Sequence, residues 1–375
     1  MTEATIVRLQ ALPLRISPKT IWIFLSVTDS EGLTGLGEAT LAGREREVMA
    51  VAARLASSCL GTAARPSPLG TAVPHRDMPE ASVFSALDQA LWDLEGQRLG
   101  KPVWQALGAA NNRDIPLYAN INRRTVDRSP AGFAASARDA VGVGFTMLKV
   151  APFDAVTPAG AETDEGRRLT EAGIARVASV REAAGSDVRV MVDCHWRFTE
   201  RASVAVIDRL AELGVTWFEC PVPEPAEAVP VLRRLRAKAN ARGMQLAGLE
   251  MSTSPDDLRP FVTGGCYDVV MPDMKYIGGY GGMLAVGALC ATNGVVCAPH
   301  NPSGPICHAA SLHAAAALPG FEVLEHQYDE SPLFDALVGG RLPDHAGKTS
   351  ALPTGPGLGV ALDPAVVAEI RVDFA

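Results

Sequence analysis

Residues 188–219 read VRVMVDCHWRFTERASVAVIDRLAELGVTWFE. An apolar run, VRVMVD, ends in a carboxylate. Helical periodicity follows over 200–213. A second apolar run, VTWFE, again ends in a carboxylate. Strand, helix and strand in this order form a parallel unit with a helical crossover.

The same rhythm extends both ways. Apolar runs lie at 116–121, 145–150, 188–193, 215–219, 245–250, 268–272, 295–299 and 321–325. Helical stretches lie between them, near 131–141, 165–184, 200–213, 226–241, 255–263, 278–293 and 305–317. Eight strands alternating with helices predict a closed parallel barrel, a fold of ~250 residues. Upstream the order differs. Residues 4–14 and 20–29 alternate apolar and polar residues about Ser17-Pro18 and predict a hairpin; 33–39 predicts a third strand. Helical stretches at 44–60 and 81–98 follow, with Gly100 and Pro102 ending the second. The fold class is therefore α/β: a TIM-type (β/α) barrel with an α+β N-terminal capping domain completed by the C-terminal tail. The expected boundaries are 1–114 for the cap, 115–350 for the barrel and 351–375 for a segment returning to the cap.

Composition narrows the function. Of 375 residues, 47% are hydrophobic and 20% charged, which is enough apolar material for a large core and argues against disorder. The formal net charge of −8 comes without a basic stripe, so nucleic acid is not an expected partner. No run approaches ~20 apolar residues, so no membrane span is expected. The seven cysteines are odd in number and form no CxxC pair, which suits reduced thiols in the cytoplasm. The N-terminus does not read as a signal peptide.

The strand ends carry the chemistry. Strand two ends around Lys149, strand three at Asp193 with His195 two residues on, strand four at Glu219 and strand five at Glu250. Strand six runs into Asp273, strand seven into His300, and strand eight ends at Glu325. A lone strand-end carboxylate is usually a helix cap. A series in register at the C-terminal ends of barrel strands is an active site. Asp193, Glu219 and Glu250 come from consecutive strands ~4.8 Å apart, so they can converge. Three such carboxylates repel unless a cation neutralises them, and hard oxygen ligands suit Mg²⁺. Asp273 and His300 end adjacent strands; a carboxylate on one imidazole nitrogen sets the tautomer and leaves the other as a base. By strand alternation His195 should share the cavity with Asp193. His308 and His313 lie in the helix after strand seven and read as structural; His326 should point away from the cavity.

These segments resemble the enolase superfamily, mandelate racemase subgroup, along nearly the whole chain. GLGEA (35–39) and ALDQALWDLEGQRLGKPVWQALG (86–108) are similar to its cap domain. MVDCHWR (191–197), WFECP (217–221), AGLE (247–250), MPDMKYIGG (271–279) and APHNPSGPI (298–306) are similar to its ligand and base motifs, and PGLGVALD (356–363) to its closing segment. The resemblance implies one Mg²⁺ on Asp193, Glu219 and Glu250, a base dyad of Asp273 and His300, and Glu325 as an acid near the developing enolate. Strand two departs from the family's frequent Lys-x-Lys: LKVAPFD keeps Lys149 but has Ala151 at the second position, so a second base is missing there. His195 is similar to the general acid of galactonate-type sugar acid dehydratases. Cys220 and Leu249 stand where an acid and a glycine are frequent.

The implied reaction is removal of the proton α to a carboxylate, then loss of a β-hydroxyl to give a 2-keto-3-deoxy acid. Lys149 is expected beside the substrate carboxylate, and Glu325 is expected to donate a hydrogen bond to it if protonated. The expected partners are a small sugar acid and further copies of the same chain. A cycloisomerase or epimerase, and a barrel that binds without catalysis, remain the alternatives. Specificity is expected from cap loops near 15–22 and 40–48, where Arg44 and Arg46 read as a solvated charge run.

Overall fold

The structure, a computed structural model, describes residues 3–69, 71–109, 114–345 and 347–374. The N-terminal unit opens with an antiparallel meander of β1 (Ile6–Arg15), β2 (Ile21–Asp29) and β3 (Thr34–Glu38). Helices α1 (Glu45–Cys59) and α2 (Met78–Leu99) cover it, and α3 (Val103–Ala106) follows. Helix α2 starts three residues before its periodicity shows, because Asp77 caps it: the Asp77 carboxylate accepts the Glu80 N–H at 2.9 Å. The glycines of GLGEA have a steric reason. A Cβ on Gly35 would lie 2.1 Å from the Ala90 carbonyl oxygen, and one on Gly37 1.9 Å from that of Ala86, so α2 lies directly on the β3 backbone.

The second unit alternates. In chain order come β4 (Ile115–Asn120), α4 (Pro130–Gly142), β5 (Met147–Val150), α5 (Asp164–Ala184), β6 (Arg189–Asp193) and α6 (Glu200–Glu212). Next are β7 (Val215–Glu219), α7 (Val229–Ala241), β8 (Gln245–Gly248) and α8 (Pro255–Thr263). Then follow β9 (Val269–Val270), α9 (Gly279–Thr292), β10 (Val296–Cys297), α10 (Pro305–Ala317) and β11 (Leu324–Gln327). The strands form one curled parallel sheet in the order β10-β9-β8-β7-β6-β5-β4-β11. At its far edge the Cys297 N–H donates to the Gly320 carbonyl at 3.0 Å and the Glu322 N–H to that of Cys297 at 3.2 Å, so the run entering β11 also pairs with β10.

Several strands are shorter than their apolar runs. β8 stops at Gly248 because Leu249 has a φ of 73° and leaves the extended conformation. β9 and β10 hold two residues each. The eighth strand begins at Leu324, three residues later than its run predicts, and reaches Gln327. The short helix α11 (Leu333–Ala336) and the short strand β12 (Thr349–Ser350), antiparallel to β4, follow.

Beyond them the tail runs to α12 (Pro364–Ile370) and touches the first unit repeatedly. Gly357 pairs with Pro102, the Leu358 N–H donates to Asp93 Oδ1 at 2.8 Å, and the Val372 N–H donates to the Pro13 carbonyl at 3.0 Å. Inside the curled sheet, Tyr118, Met191, Trp217, Ala247, Val269, Met271, Ala298 and Val323 form a buried cluster separate from the core under the helices. Met191 and Trp217 stand two residues before Asp193 and Glu219. Strand alternation puts this apolar plug one layer beneath the carboxylates.

Candidate active site

Asp193 and Glu219 are paired residues at the ends of β6 and β7. Glu250 follows the left-handed turn at Leu249. One carboxylate oxygen from each lies within 4.8 Å of the other two, and all three residues are buried. Among the described residues, Glu250 Oε2 is buried without a hydrogen-bond partner. Burial, then the charges of Asp193 and Glu219, push the Glu250 carboxyl well above the usual carboxylate range. A divalent cation would relieve both the orphaned oxygen and the repulsion, so these residues fit a hard metal ion such as Mg²⁺.

Asp273 and His300 are joined by a parallel β-bridge. His300 Nδ1 lies 2.8 Å from Asp273 Oδ2. With Asp273 as acceptor, Nδ1 carries the proton and Nε2 presents its lone pair. Nε2 faces the triad, 3.4 Å from Glu250 Oε2 and 4.0 Å from Glu325 Oε2. Burial opposes ionisation of Asp273, but Lys275 and then the His300 hydrogen bond outweigh it and hold its carboxyl below the ordinary value.

His195 reaches the cavity by a route other than alternation. The chain after Asp193 is not extended: His195 and Trp196 have φ of 45° and 56°. This left-handed pair folds back, so the His195 N–H donates to Asp193 Oδ1 at 2.8 Å and Nε2 lies 2.7 Å from Asp193 Oδ2. The side chain is 38% exposed. The Asp193 charge raises the imidazole above its ordinary value.

Two of the expected residues sit in strongly charged, buried surroundings. Lys149 does not stand open to a substrate: its side chain is 1% exposed, and Nζ lies 2.7 Å from Glu219 Oε1 and 3.1 Å from Glu325 Oε1. Burial alone would discharge it, but Glu219 and Glu325 outweigh that and keep it protonated. Nor do the surroundings of Glu325 favour a protonated acid. Burial is outweighed by Lys149, His300, the Asn301 N–H and the Asn120 amide, which hold it well below the usual carboxylate range. Its oxygens accept from Asn120 Nδ2 at 2.6 Å and the Asn301 N–H at 3.0 Å.

Other residues of the site escaped the sequence reading. Asn120 ends β4 and pairs with Lys149 of β5, and its place at a strand end is the signal that finds it. Lys275, two residues past Asp273, places Nζ 3.0 and 2.8 Å from the two Asp273 oxygens. Glu224 is signalled by nothing local. It accepts from Trp196 Nε1 at 2.8 Å, the Tyr267 hydroxyl at 2.5 Å and the Leu249 N–H at 3.0 Å, so it ties the turns after Asp193 and before Glu250 together. From the cap, the Thr20 hydroxyl donates to Glu330 Oε1 at 2.9 Å, beyond β11, while Arg44 pairs with Glu47 on the surface.

Comparison with known proteins places the chain in a family. Residues 132–366 match the enolase C-terminal domain-like family. Residues 1–108 match the mandelate racemase/muconate lactonizing enzyme N-terminal domain. The D-gluconate dehydratase of Thermoproteus tenax is 30% identical over 366 residues, 94% of this chain and 70% of that protein. The D-galactonate dehydratase of Verminephrobacter eiseniae is 31% identical over 306 residues, 80% of this chain and 76% of that protein. A crystal structure of a mandelate racemase/muconate lactonizing enzyme from Jannaschia sp. CCS1 superposes with a TM-score of 0.80 at 24% identity, covering 99% of this chain and 98% of that one. Among the described residues, no helix is long and apolar enough to cross a membrane. The chain is an enzyme of the lyase class, a hydro-lyase. It belongs to the mandelate racemase subgroup of the enolase superfamily.

Proposed function

We propose that this enzyme dehydrates a sugar acid to the 2-keto-3-deoxy acid, with one Mg²⁺ held by Asp193, Glu219 and Glu250. We read the curled sheet as a closed barrel with the active site at its mouth, 1–114 and 351–375 forming the cap. The observation that carries the proposal is the meeting of three elements. The carboxylate triad, the His300–Asp273 pair and His195 converge, with His300 and His195 on different carboxylates of the triad. Dehydratase-named relatives at about the same level of identity support the sugar acid class.

When bound, the cation supplies a Lewis acid that stabilises negative charge on the substrate carboxylate as the α-proton leaves. His300 Nε2 accepts that proton. Asp273 holds the Nδ1–H and offsets the charge of the imidazolium. His195, protonated, donates to the β-hydroxyl, which departs as water while the α–β double bond forms. The resulting enol tautomerises to the 2-keto-3-deoxy acid. Lys149 acts on this site indirectly, by balancing Glu219 and Glu325 beneath it. Ala151 leaves no second base opposite His300, which weighs against epimerisation.

The test is a panel of five- and six-carbon sugar acids with Mg²⁺, read for 2-keto acid. On a substrate that turns over, His195→Gln should still exchange the α-proton with solvent deuterium while product formation stops. His300→Asn should lose both. Undiminished dehydration by His195→Gln would remove it as the acid, and formation of an epimer or a lactone isomer would replace the dehydratase reading.

A further inference from the structure

Asp273 has a second cationic partner that the mechanism above leaves unused. The Lys275 ammonium engages both Asp273 oxygens, at 3.0 and 2.8 Å, and lies 2.5 Å from Ser303 Oγ. The Lys275 backbone N–H donates to Asp273 Oδ1 at 2.7 Å. Asp273 Oδ2 is thus shared by Lys275 and by His300 Nδ1. The Lys275 side chain is 2% exposed. Burying an ammonium is costly even when it is paired, and well-packed apolar residues commonly do as well.

Its placement supplies a reason. Asp273 and His300 follow β9 and β10, which have two residues each, and the dyad's own backbone pairing is a single isolated bridge. So short a ladder does little to set the distance between the two chain ends. Lys275 spans them, gripping Asp273 on one side and, through Ser303, the loop that carries His300 on the other. The first unit adds to the same joint: Glu38 accepts the Gly304 N–H at 2.8 Å and the Cys307 N–H at 3.0 Å.

We infer that Lys275 is a positioning residue of the proton-abstracting pair, holding the Asp273 carboxylate and the 300–304 loop in the arrangement in which Asp273 receives His300 Nδ1–H. The inference rests on the reading of His300 as the base.

The experiment compares Lys275→Met, Lys275→Arg, Asp273→Asn and the double variant, with His300→Asn alongside. Lys275→Met should lower kcat roughly 10–100-fold, the usual range when a residue orienting a working side chain is lost. KM should stay nearly unchanged, and Lys275→Arg should recover part of the loss. Because Lys275 acts through Asp273, the double variant should be within about twofold of Asp273→Asn alone. A readout independent of turnover is the deshielded Nδ1–H proton of His300 in metal-free, ¹⁵N-histidine-labelled protein, assigned by its loss in His300→Asn. It should shift or broaden in Lys275→Met, and shift to a lesser extent in Lys275→Arg. If Lys275→Met does not fold, the resonance in Lys275→Arg and the comparison within the Asp273→Asn background decide the matter. An unmoved resonance, or losses that multiply in the double variant, would overturn the inference. If His300→Asn keeps α-proton exchange, the base reading itself falls, an outcome distinct from normal kcat in Lys275→Met with exchange abolished in His300→Asn.

Discussion

Glu219 shows how little freedom one side chain has in this site. Oε1 takes the Lys149 ammonium at 2.7 Å and Oε2 the Trp217 indole N–H at 2.8 Å. Both neighbours are donors, so a glutamine of the same shape must turn its NH₂ against one of them. Glu219→Gln should therefore lose Mg²⁺ affinity by at least about tenfold and also lose stability, since it leaves a buried donor facing a donor. Calorimetric titration with Mg²⁺ and thermal unfolding of the metal-free protein measure the two effects separately. Exhaustive chelation should abolish turnover of the wild-type enzyme, and Mg²⁺ should restore it; full activity in chelator would end the metal proposal. At this scale the sequence exposed the carboxylate triad and the Asp273–His300 pair, because each residue sits at or just past the end of an apolar run. It did not expose Lys149 as a buried ion-pair partner or the donors gathered around Glu325. Both depend on what crosses the cavity, and neither neighbour is local in the chain.

Helix α10 and strand β11 meet through imidazoles. His308 and His326 ring centroids lie 4.9 Å apart, His326 and His345 4.9 Å, with Phe334 packed against all three. Among the described residues, His308 Nε2 and His326 Nδ1 are buried without hydrogen-bond partners. Around them stand the Asn301 amide, 2.9 Å from His308 Nδ1, and Asp335, 3.5 Å from His345 Nε2. Burial, then the neighbouring imidazoles, hold His308 and His326 well below the ordinary histidine value. The folded protein thus keeps both neutral, while the unfolded chain takes up their protons below about pH 6.5. The sign follows: stability is full above that pH and falls as the pH drops, by up to about 1.4 kcal/mol per unit for each histidine. Urea midpoints between pH 7 and 5 should fall accordingly, and His326→Phe should flatten the slope. An unchanged slope in that variant would place the acid sensitivity elsewhere. The sequence reading took His308 as structural from its apolar neighbours and His326 as pointing away from the cavity; their contact with one another came only from the packing of α10 on β11.

Asp93, on α2, ties the whole molecule together. Its carboxylate accepts the Leu36 N–H of β3 at 2.9 Å, the Gln97 amide at 3.0 Å and the Leu358 N–H of the tail at 2.8 Å. Nearby, a Cβ on Gly357, with φ of 68°, would lie 2.0 Å from Asp93 Oδ1, so the tail approaches as closely as backbone permits. Asp93→Ala should leave two buried backbone donors unsatisfied, at about 1–3 kcal/mol each. The expected result is a lower denaturation midpoint with Mg²⁺ affinity retained, since the triad is built on other strands. Loss of metal binding without loss of stability would contradict this division of labour.

Local pattern alone determined the order of the main elements, the antiparallel first unit and the series of ionisable residues at or near the strand ends: Lys149, Asp193, Glu219, Glu250, Asp273, His300 and Glu325. Apolar periodicity and alternation are properties of neighbouring residues, so they are legible without a fold. Tertiary structure decided what those ends do to one another. It shortened β8 through a left-handed Leu249, turned His195 back onto Asp193, sank Lys149 between Glu219 and Glu325, brought Lys275 onto Asp273 and set Glu38 on the start of α10. The physical reason is that charge pairing and burial depend on distances across the sheet and between its two units, and spacing along the chain carries no information about those distances.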